Sequence, residues 1–222
     1  MAKVLQVEIW SDVICPWCYI GKRRFERALD ALKASDDPVE ISVVYRAYQL
    51  DPSAPRDRST PAREGYAKKF GGTERADAII EHLTRTAAED GLDFRMDIAQ
   101  RSNTLLAHRL LWWAGTRADG SQHVLKEALL EAYFMKGQHV GDRDTLAGIA
   151  APILGISREQ IFDFLDSDSG IGEVNQELAA AASHGITGVP TYVIDGQWAI
   201  PGAQDSDTFE RVLRRAASRV DG

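Results

Sequence analysis

The first fifty residues carry three hydrophobic patterns in the order strand, helix, strand. Residues 4–10 are apolar, β-branched and partly alternating, which predicts a strand that ends at Ser11 and Asp12. Residues 39–47 alternate in the same way and predict a second strand. Between them, apolar residues recur at the spacing of an amphipathic helix at Phe25, Ala28, Leu29 and Leu32. The chain is therefore expected to begin with a βαβ unit.

The pattern changes after this unit. Residues 51–64 hold prolines among charged and small residues, which predicts a loop. From residue 73 to about residue 166 the sequence has four or five helical patterns, and no clear strand pattern interrupts them. They cover residues 75–90, 104–117, 124–135, 145–154 and 158–165. The last of them follows Ser157 and Gln160, which have the spacing of a capping box.

The C-terminal part returns to mixed structure. Residues 171–184 predict a helix ended by Gly185, and residues 189–194 a β-branched strand. Asp195-Gly196 is a favoured hairpin turn into a strand at 197–200. A last amphipathic helix is predicted from its apolar positions Phe209, Val212, Leu213, Ala216 and Val220. We therefore expect an α/β fold of order βαβ–αββα, formed by residues 1–52 and 171–222, with an inserted helical domain at residues 53–170.

Composition limits the class of function. The 222 residues include 26 basic and 33 acidic ones, which gives a net charge of −7 and no general attraction for nucleic acid or anionic lipid. The amino terminus has no secretory apolar region, and the uncharged run at residues 178–194 is interrupted by glycine and proline. We expect a cytoplasmic protein with neither nucleic acid nor membrane as a partner.

The two cysteines, Cys15 and Cys18, fall directly between the first strand and the first helix. A reducing cytoplasm would not keep a purely structural disulfide closed. At a helix start, this spacing puts both sulfurs on one face within disulfide reach, and the helix dipole favours a thiolate on Cys15. The sequence predicts Cys15 as a nucleophile of lowered pKa and Cys18 as a more buried resolving thiol. Exchange through a mixed disulfide needs no bound cofactor.

Two other readings of the cysteine pair are weaker. Cys-x-x-Cys is half of a zinc site, but there is no second cysteine pair and the five histidines are scattered. A holdase or scaffold would not need Pro16 and Trp17 between its thiols. The Trp17 ring is expected to be partly exposed and to contact substrate together with Pro16. The cluster at residues 22–24, Lys-Arg-Arg, is predicted to be a solvated helix face.

A second motif lies at residues 185–191, where Pro190 begins a strand that otherwise looks central. Proline cannot donate to a strand ladder, so it needs an edge or a special turn. We predict a cis Val189–Pro190 bond beside Cys15, with the backbone of Val189 available for pairing with a substrate peptide.

These motifs together resemble the thioredoxin fold, and the helical insertion resembles its DsbA-like branch. More narrowly, residues 11–22, 107–110, 131–134 and 185–190 are similar to the FrnE-like oxidoreductases. The resemblance runs nearly end to end. It implies a thiol–disulfide oxidoreductase with Cys15 and Cys18 as the redox pair and Pro190 as the cis-proline. Unlike the periplasmic disulfide oxidants, which carry histidine there, this chain has Trp17.

Glutathione-dependent hydroxychromene-carboxylate isomerases and kappa-class transferases form the alternative within this superfamily. They resemble this chain with serine in place of Cys15, so the presence of both thiols favours redox chemistry. The expected partner is a protein or small molecule that bears a disulfide or thiol, with glutathione as a candidate redox partner and a dimer left open. The helical block is predicted to cap Cys15 and to form an apolar groove with Trp17 and Val189; a mere cover of the sheet is the alternative.

Overall fold

The computed structural model describes residues 4–218 and begins with the predicted βαβ unit. Strand β1 spans Leu5–Ser11, helix α1 spans Pro16–Lys33 and strand β2 spans Ile41–Ala47. The two strands pair in parallel, with Leu5 opposite Ile41. A parallel pair needs a crossover, and α1 supplies it by packing its apolar stripe on the sheet. The helix start, and with it the cysteine pair, therefore lies at the carboxyl end of β1.

The helical block contains six helices and a short strand pair. Its elements in chain order are β3 (Thr60–Pro61), α2 (Ala62–Phe70), α3 (Thr73–Glu89), β4 (Gln100–Arg101), α4 (Leu105–Thr116), α5 (Ser121–Phe134), α6 (Arg143–Leu154) and α7 (Arg158–Asp166). Helices α3 to α7 agree with the five predicted patterns, and Ser157 and Gln160 form the predicted capping box.

Two details of the block differ from the sequence prediction. Helix α2 begins inside the segment that the prolines marked as a loop, and Gly71 ends it at a φ of 84°. Its nine residues show little amphipathic periodicity, so the pattern gave no signal. Strands β3 and β4 pair antiparallel. The sequence predicts no strand there, because a run of two residues is too short to show an alternation.

The C-terminal part follows the predicted αββα order. Helix α8 spans Ile171–Ser183, strand β5 Thr191–Ile194, strand β6 Trp198–Pro201 and helix α9 Ser206–Ser218. Asp195 and Gly196 both have positive φ values, as the predicted hairpin turn requires. Strand β5 begins two residues later than predicted, after Pro190. Val220, predicted for the last helix, lies outside the described residues.

The main sheet has the strand order β2-β1-β5-β6, with β5 antiparallel to both β1 and β6. This is the thioredoxin-like α/β fold with a helical insertion that the sequence predicts. Within residues 4–218, none of the helices is both long and apolar enough to cross a membrane.

Helix α1 contributes to two buried apolar clusters. Phe25, Ala28 and Leu32 pack in the cluster of the sheet and α9. Tyr19 and Ile20, nearer the cysteines, belong to the larger cluster of the helical block. The helix that carries the cysteine pair is thus held from both sides. The division into a discontinuous domain and an inserted domain stays a prediction.

Candidate active site

The cysteine pair lies at the start of α1. Cys15 is the residue before the helix, with an extended backbone, and Pro16 begins the helix at a position where its missing N–H costs nothing. The N–H of Cys18 donates to the carbonyl oxygen of Cys15 at 3.1 Å, which closes the first turn. The i, i+3 spacing therefore brings both thiols together, as the sequence predicts.

Both thiols are buried, but they face different surroundings. Cys15 is 3% exposed and Cys18 is 2% exposed, so Cys18 is more buried, as predicted, but only slightly. What distinguishes them is access, because Cys15 lines a groove of about 950 Å³ and Cys18 does not. A substrate sulfur in the groove would reach Cys15 first.

The segment before β5 faces the cysteine pair. The Val189–Pro190 bond is cis, in agreement with the sequence prediction. The thiol of Cys15 lies 3.5 Å from the carbonyl oxygen of Val189 and is oriented to donate to it. The carbonyl oxygen of Pro190 instead accepts from the N–H of Gly202 at 2.7 Å. Val189 therefore presents backbone beside the accessible thiol.

The charges around the pair correct one prediction. Burial raises the pKa of Cys15, and its hydrogen bond with Cys18 adds to this effect. Burial acts in the same direction on Cys18, but the hydrogen bond with Cys15, the charge of Lys126 and the Ser11 hydroxyl outweigh it and lower the pKa of Cys18. The surroundings therefore raise the pKa of Cys15 and lower that of Cys18, whereas the helix dipole alone predicts a lowered pKa for Cys15.

A buried lysine from the helical block lies behind the pair. Lys126 on α5 is completely buried, and its Nζ lies 5.6 Å from the centroid of the Tyr45 ring. Sequence analysis missed this residue. Its signal is that Lys126 lies on the buried face of α5, three and four residues before the buried Leu129 and Leu130.

Asp12, between β1 and α1, is a second buried group that sequence analysis did not single out. Its carboxylate accepts from the N–H groups of Val13 and Leu50, each at 2.8 Å. Nε2 of His108 on α4 lies 3.1 Å from the same carboxylate. These contacts fix the loop before Cys15 against the helical block.

The basic cluster after the cysteines is not simply a solvated face. Lys22 is 3% exposed and forms ion pairs with Glu26 of α1 and Glu127 of α5. The hydroxyl of Tyr19 donates to Glu127 at 2.8 Å. The cluster thereby joins the cysteine-bearing helix to the helical block. The prediction was wrong for Lys22 because helical spacing alone does not reveal a second helix packed on that face.

The groove beside Cys15 is lined by the segment around the cysteines, by residues 50–53, by Gly188 and Val189, and by residues of the helical block. Pro16, Trp17 and Val189 line it from the side of the cysteine pair. Its opposite wall comes from α2 and α3, with apolar and basic residues that include Tyr66, Lys68, Lys69, Phe70, Ile79 and His82. Trp17 is 37% exposed, as expected for a ring that faces substrate. The groove combines an apolar surface with positive charge.

The fold and the paired cysteines define a thioredoxin-fold protein with a Cys-Pro-Trp-Cys motif at the start of its first long helix. Residues 6–214 match the model of the DSBA-like thioredoxin domain, so the chain belongs to this family. The narrower similarity to FrnE-like proteins stays a prediction.

Three known proteins are similar to this chain in sequence or in fold. The probable DsbA oxidoreductase SCO1869 from Streptomyces coelicolor is 34% identical, with a TM-score of 0.86 over 96% of this chain and 90% of that one. The uncharacterized protein YwbO from Bacillus subtilis (strain 168) is 26% identical over 94% of this chain and 96% of its own length. A 2-hydroxychromene-2-carboxylate isomerase shares the fold at 15% identity, with a TM-score of 0.69 over 97% of this chain and 98% of that one.

Proposed function

We propose that this protein is a thiol–disulfide oxidoreductase in which Cys15 exchanges with substrate and Cys18 resolves the mixed disulfide. The observation that carries the proposal is the unequal access of two adjacent thiols, since Cys15 lines the groove and Cys18 lies behind it. Family membership and the likeness to a probable DsbA oxidoreductase support it.

The reaction takes two exchange steps. Because the thiols share a hydrogen bond, a proton shift from Cys15 to Cys18 produces the Cys15 thiolate when a disulfide enters the groove. This thiolate attacks one sulfur of the substrate, the substrate S–S bond breaks, and the other half leaves as a thiolate that takes up a proton. Cys18 then loses its proton and attacks the sulfur of Cys15, which releases the second thiolate. The substrate gains two electrons and the protein is left with a Cys15–Cys18 disulfide.

The same steps in reverse oxidise a dithiol substrate, so the direction depends on the redox potential of the pair. The carbonyl of Val189, 3.5 Å from the Cys15 thiol, is placed to pair with the backbone of a substrate peptide. Pro16, Trp17 and Pro190 complete this binding surface. Glutathione is proposed as the redox partner that recycles the pair, with no tightly bound cofactor.

A redox titration tests this function. The protein is equilibrated in buffers of stepwise ratio of reduced to oxidised glutathione, its thiols are alkylated, and the fraction with a Cys15–Cys18 disulfide is measured by intact mass. We expect a single two-electron transition that disappears in both Cys15→Ser and Cys18→Ser. A wild-type protein without a transition would contradict the proposal.

The alternative is a glutathione-dependent isomerase, which is favoured by the shared fold of the hydroxychromene-carboxylate isomerase. In that reaction residue 15 would hold the thiolate of glutathione without exchanging with it. Cys15→Ser would then keep activity, whereas the oxidoreductase loses it. Activity of Cys15→Ser on a hydroxychromene carboxylate with glutathione therefore distinguishes the two functions.

A further inference from the structure

We propose that the groove beside Cys15 binds peptide disulfides that carry both an apolar and an acidic residue near the reacting cysteine, and that the end of α2 recognises these two residues. The inference rests on the proposed oxidoreductase function and names the substrate class of its site.

Exposed apolar side chains are concentrated in this groove. Two of the four large apolar side chains that are exposed within residues 4–218, Trp17 and Phe70, line it. Tyr66 lies beside Phe70 on α2, with 5.7 Å between the ring centroids. Exposed apolar surface gathered in one groove is typical of a binding site. An apolar side chain of a substrate can therefore be buried against these rings.

The charged side chains that line the groove do not cancel. They are Asp51, Lys68, Lys69 and Arg101. Nε of Arg101 donates to Asp51 at 2.6 Å, so this pair adds no net charge. Within residues 4–218, neither lysine has a carboxylate partner, although Glu64 lies one turn before Lys68 on the same helix. The groove thus presents two positive charges to a substrate, in a chain whose net charge is −7.

The positive charges and the apolar surface lie at the same end of α2. Nζ of Lys69 lies 5.7 Å from the centroid of the Phe70 ring. A substrate side chain that packs on this ring therefore has an ammonium group beside it. A carboxylate one or two residues away can reach that group, because an extended chain advances about 3.3 Å per residue. Charge complementarity therefore favours an acidic residue next to an apolar one.

The size and backbone of the groove favour a peptide. Its volume of about 950 Å³ is at the upper end of the range for small-molecule sites, roughly 300–1,000 Å³. On the side of the cysteine pair, the carbonyl oxygen of Val189 lies 3.5 Å from the Cys15 thiol, where the backbone of a peptide can pair with it. A single small disulfide would leave much of this surface uncovered.

A role within the helix is the competing explanation for the two lysines. Lys68 and Lys69 lie in the last turn of α2, where positive charge is favoured by the helix dipole. That role would make the lysines matter for stability and leave the choice of substrate unchanged. Selectivity among substrates therefore separates the two explanations.

A series of peptides of equal length provides the test. Each has one cysteine flanked by leucines and joined by a disulfide to a coloured nitrobenzoate thiol. Glu, Gln or Lys is placed in turn two to four residues from the cysteine on either side. The Cys15 thiolate of the reduced protein attacks the peptide sulfur, the S–S bond breaks and nitrobenzoate leaves as a thiolate. Its release gives the second-order rate constant for each peptide.

At the best position we expect the Glu peptide to react roughly three- to tenfold faster than the Gln peptide, and the Lys peptide to be the slowest. The reason is that each of two exposed ion pairs contributes up to about fivefold. The preference should be mostly lost at about 1 M salt, where charges are screened beyond about 3 Å. Peptides with glycine in place of leucine should react at least about threefold slower.

The double variant Lys68→Gln/Lys69→Gln should bring the rates of the Glu and Gln peptides to within about twofold of each other. The matched control is Lys33→Gln/Lys136→Gln, which removes the same charge at two exposed lysines outside the groove. It should keep the wild-type preference. The salt dependence of the wild-type protein tests the same charges without any substitution.

The outcomes separate this proposal from the function on which it rests. Equal rates for Glu and Gln at every position, a preference that resists salt, or one that persists in Lys68→Gln/Lys69→Gln would overturn the proposal. So would rates that do not depend on leucine. In each of these cases exchange with the peptides still occurs, and the oxidoreductase function stands. A protein that reacts with none of the peptides and has no transition in the glutathione titration would overturn the function itself.

Discussion

The ring of Trp17, between the two cysteines, lies beside the ring of His82 on α3, with 6.2 Å between their centroids. The cysteine motif and the helical block therefore meet at the groove. This contact makes the block a wall of the proposed substrate site in addition to a cover for the sheet. It also suggests how substrates of different size are distinguished.

Removal of an apolar side chain from the far wall tests this role. Phe70, at the end of α2, lines the groove and is 38% exposed. In Phe70→Ala we expect turnover of a peptide disulfide with apolar flanking residues to fall roughly three- to tenfold, since a partly buried ring contributes about 1 kcal/mol of apolar contact. Exchange with glutathione disulfide should stay near the wild-type rate.

The matched control is Val124→Ala, which removes an exposed apolar side chain of α5 that does not line the groove. It should leave the ratio of the two rates unchanged. An unchanged ratio in Phe70→Ala as well would mean that the block only covers the sheet.

The roles of the two thiols predict opposite behaviour of their variants. Cys18→Ala should accumulate a mixed disulfide through Cys15, because the resolving step is missing. Cys15→Ala should form much less adduct, since Cys18 does not line the groove. The amount of mixed disulfide in each variant is measured by intact mass after incubation with glutathione disulfide. Faster formation of the adduct in Cys15→Ala than in Cys18→Ala would reverse the assignment of the two thiols.

Asp12 is expected to matter for stability. Asp12→Ala would leave the N–H groups of Val13 and Leu50 without their acceptor, and we expect a loss of about 2–5 kcal/mol in the free energy of unfolding. Asp12→Asn keeps an acceptor oxygen and should lose less. Urea denaturation of the reduced protein measures both. Asp57→Ala is the control, because Asp57 is an exposed residue that pairs with its neighbour Arg58. Equal losses at the two positions would contradict this expectation.

The ion pairs of Glu26 predict an acid-sensitive part of the stability. Against the cost of burial, hydrogen bonding to His123 and the charge of Lys22 lower the pKa of Glu26 to about 2. A carboxyl whose pKa is lower in the folded than in the unfolded chain stabilises the fold above its unfolded pKa, near 4.3, and this contribution is lost as the pH falls towards 2. Glu26→Gln should therefore lose less stability than wild type between pH 5 and pH 2.

The difference should be on the order of 1–2 kcal/mol, because Glu26 is partly exposed and solvent screens its partners. Chemical denaturation at both pH values provides the measurement. Glu210→Gln, at a surface pair with Arg214, is the control and should follow wild type. Parallel pH curves for wild type and Glu26→Gln would contradict this assignment.

The sequence predicts the fold well because each long element has a clear period and an end signal. The sequence also predicts that Cys15 and Cys18 lie where the first strand ends and the first helix begins. Helix α2 was missed, since its nine residues have neither a strong period nor a capping side chain. Because α2 was not predicted, Tyr66 and Phe70 were not identified as residues of the groove.

Electrostatic properties were harder to predict because they depend on contacts between distant segments. The helix dipole at Cys15 can be deduced from local sequence, whereas the charge of Lys126 reaches Cys18 from more than a hundred residues away. Lys22 illustrates the same limit, since its partner Glu127 lies on another helix. Spacing identifies the sulfur atoms that we propose to react, and tertiary packing shifts their pKa values.

Helix α1 contributes residues to two apolar clusters: Phe25 packs in the cluster of the sheet and Tyr19 in the cluster of the helical block. As a consequence, the helical block is not an exchangeable module. A block taken from another member of the family would have to reproduce the surface that receives Tyr19 and Ile20 and the acidic partner of Lys22. Diversity among such blocks is therefore expected to be greatest in α6 and α7, far along the chain from this contact, and smallest along the face of α5 that carries Lys126 and Glu127.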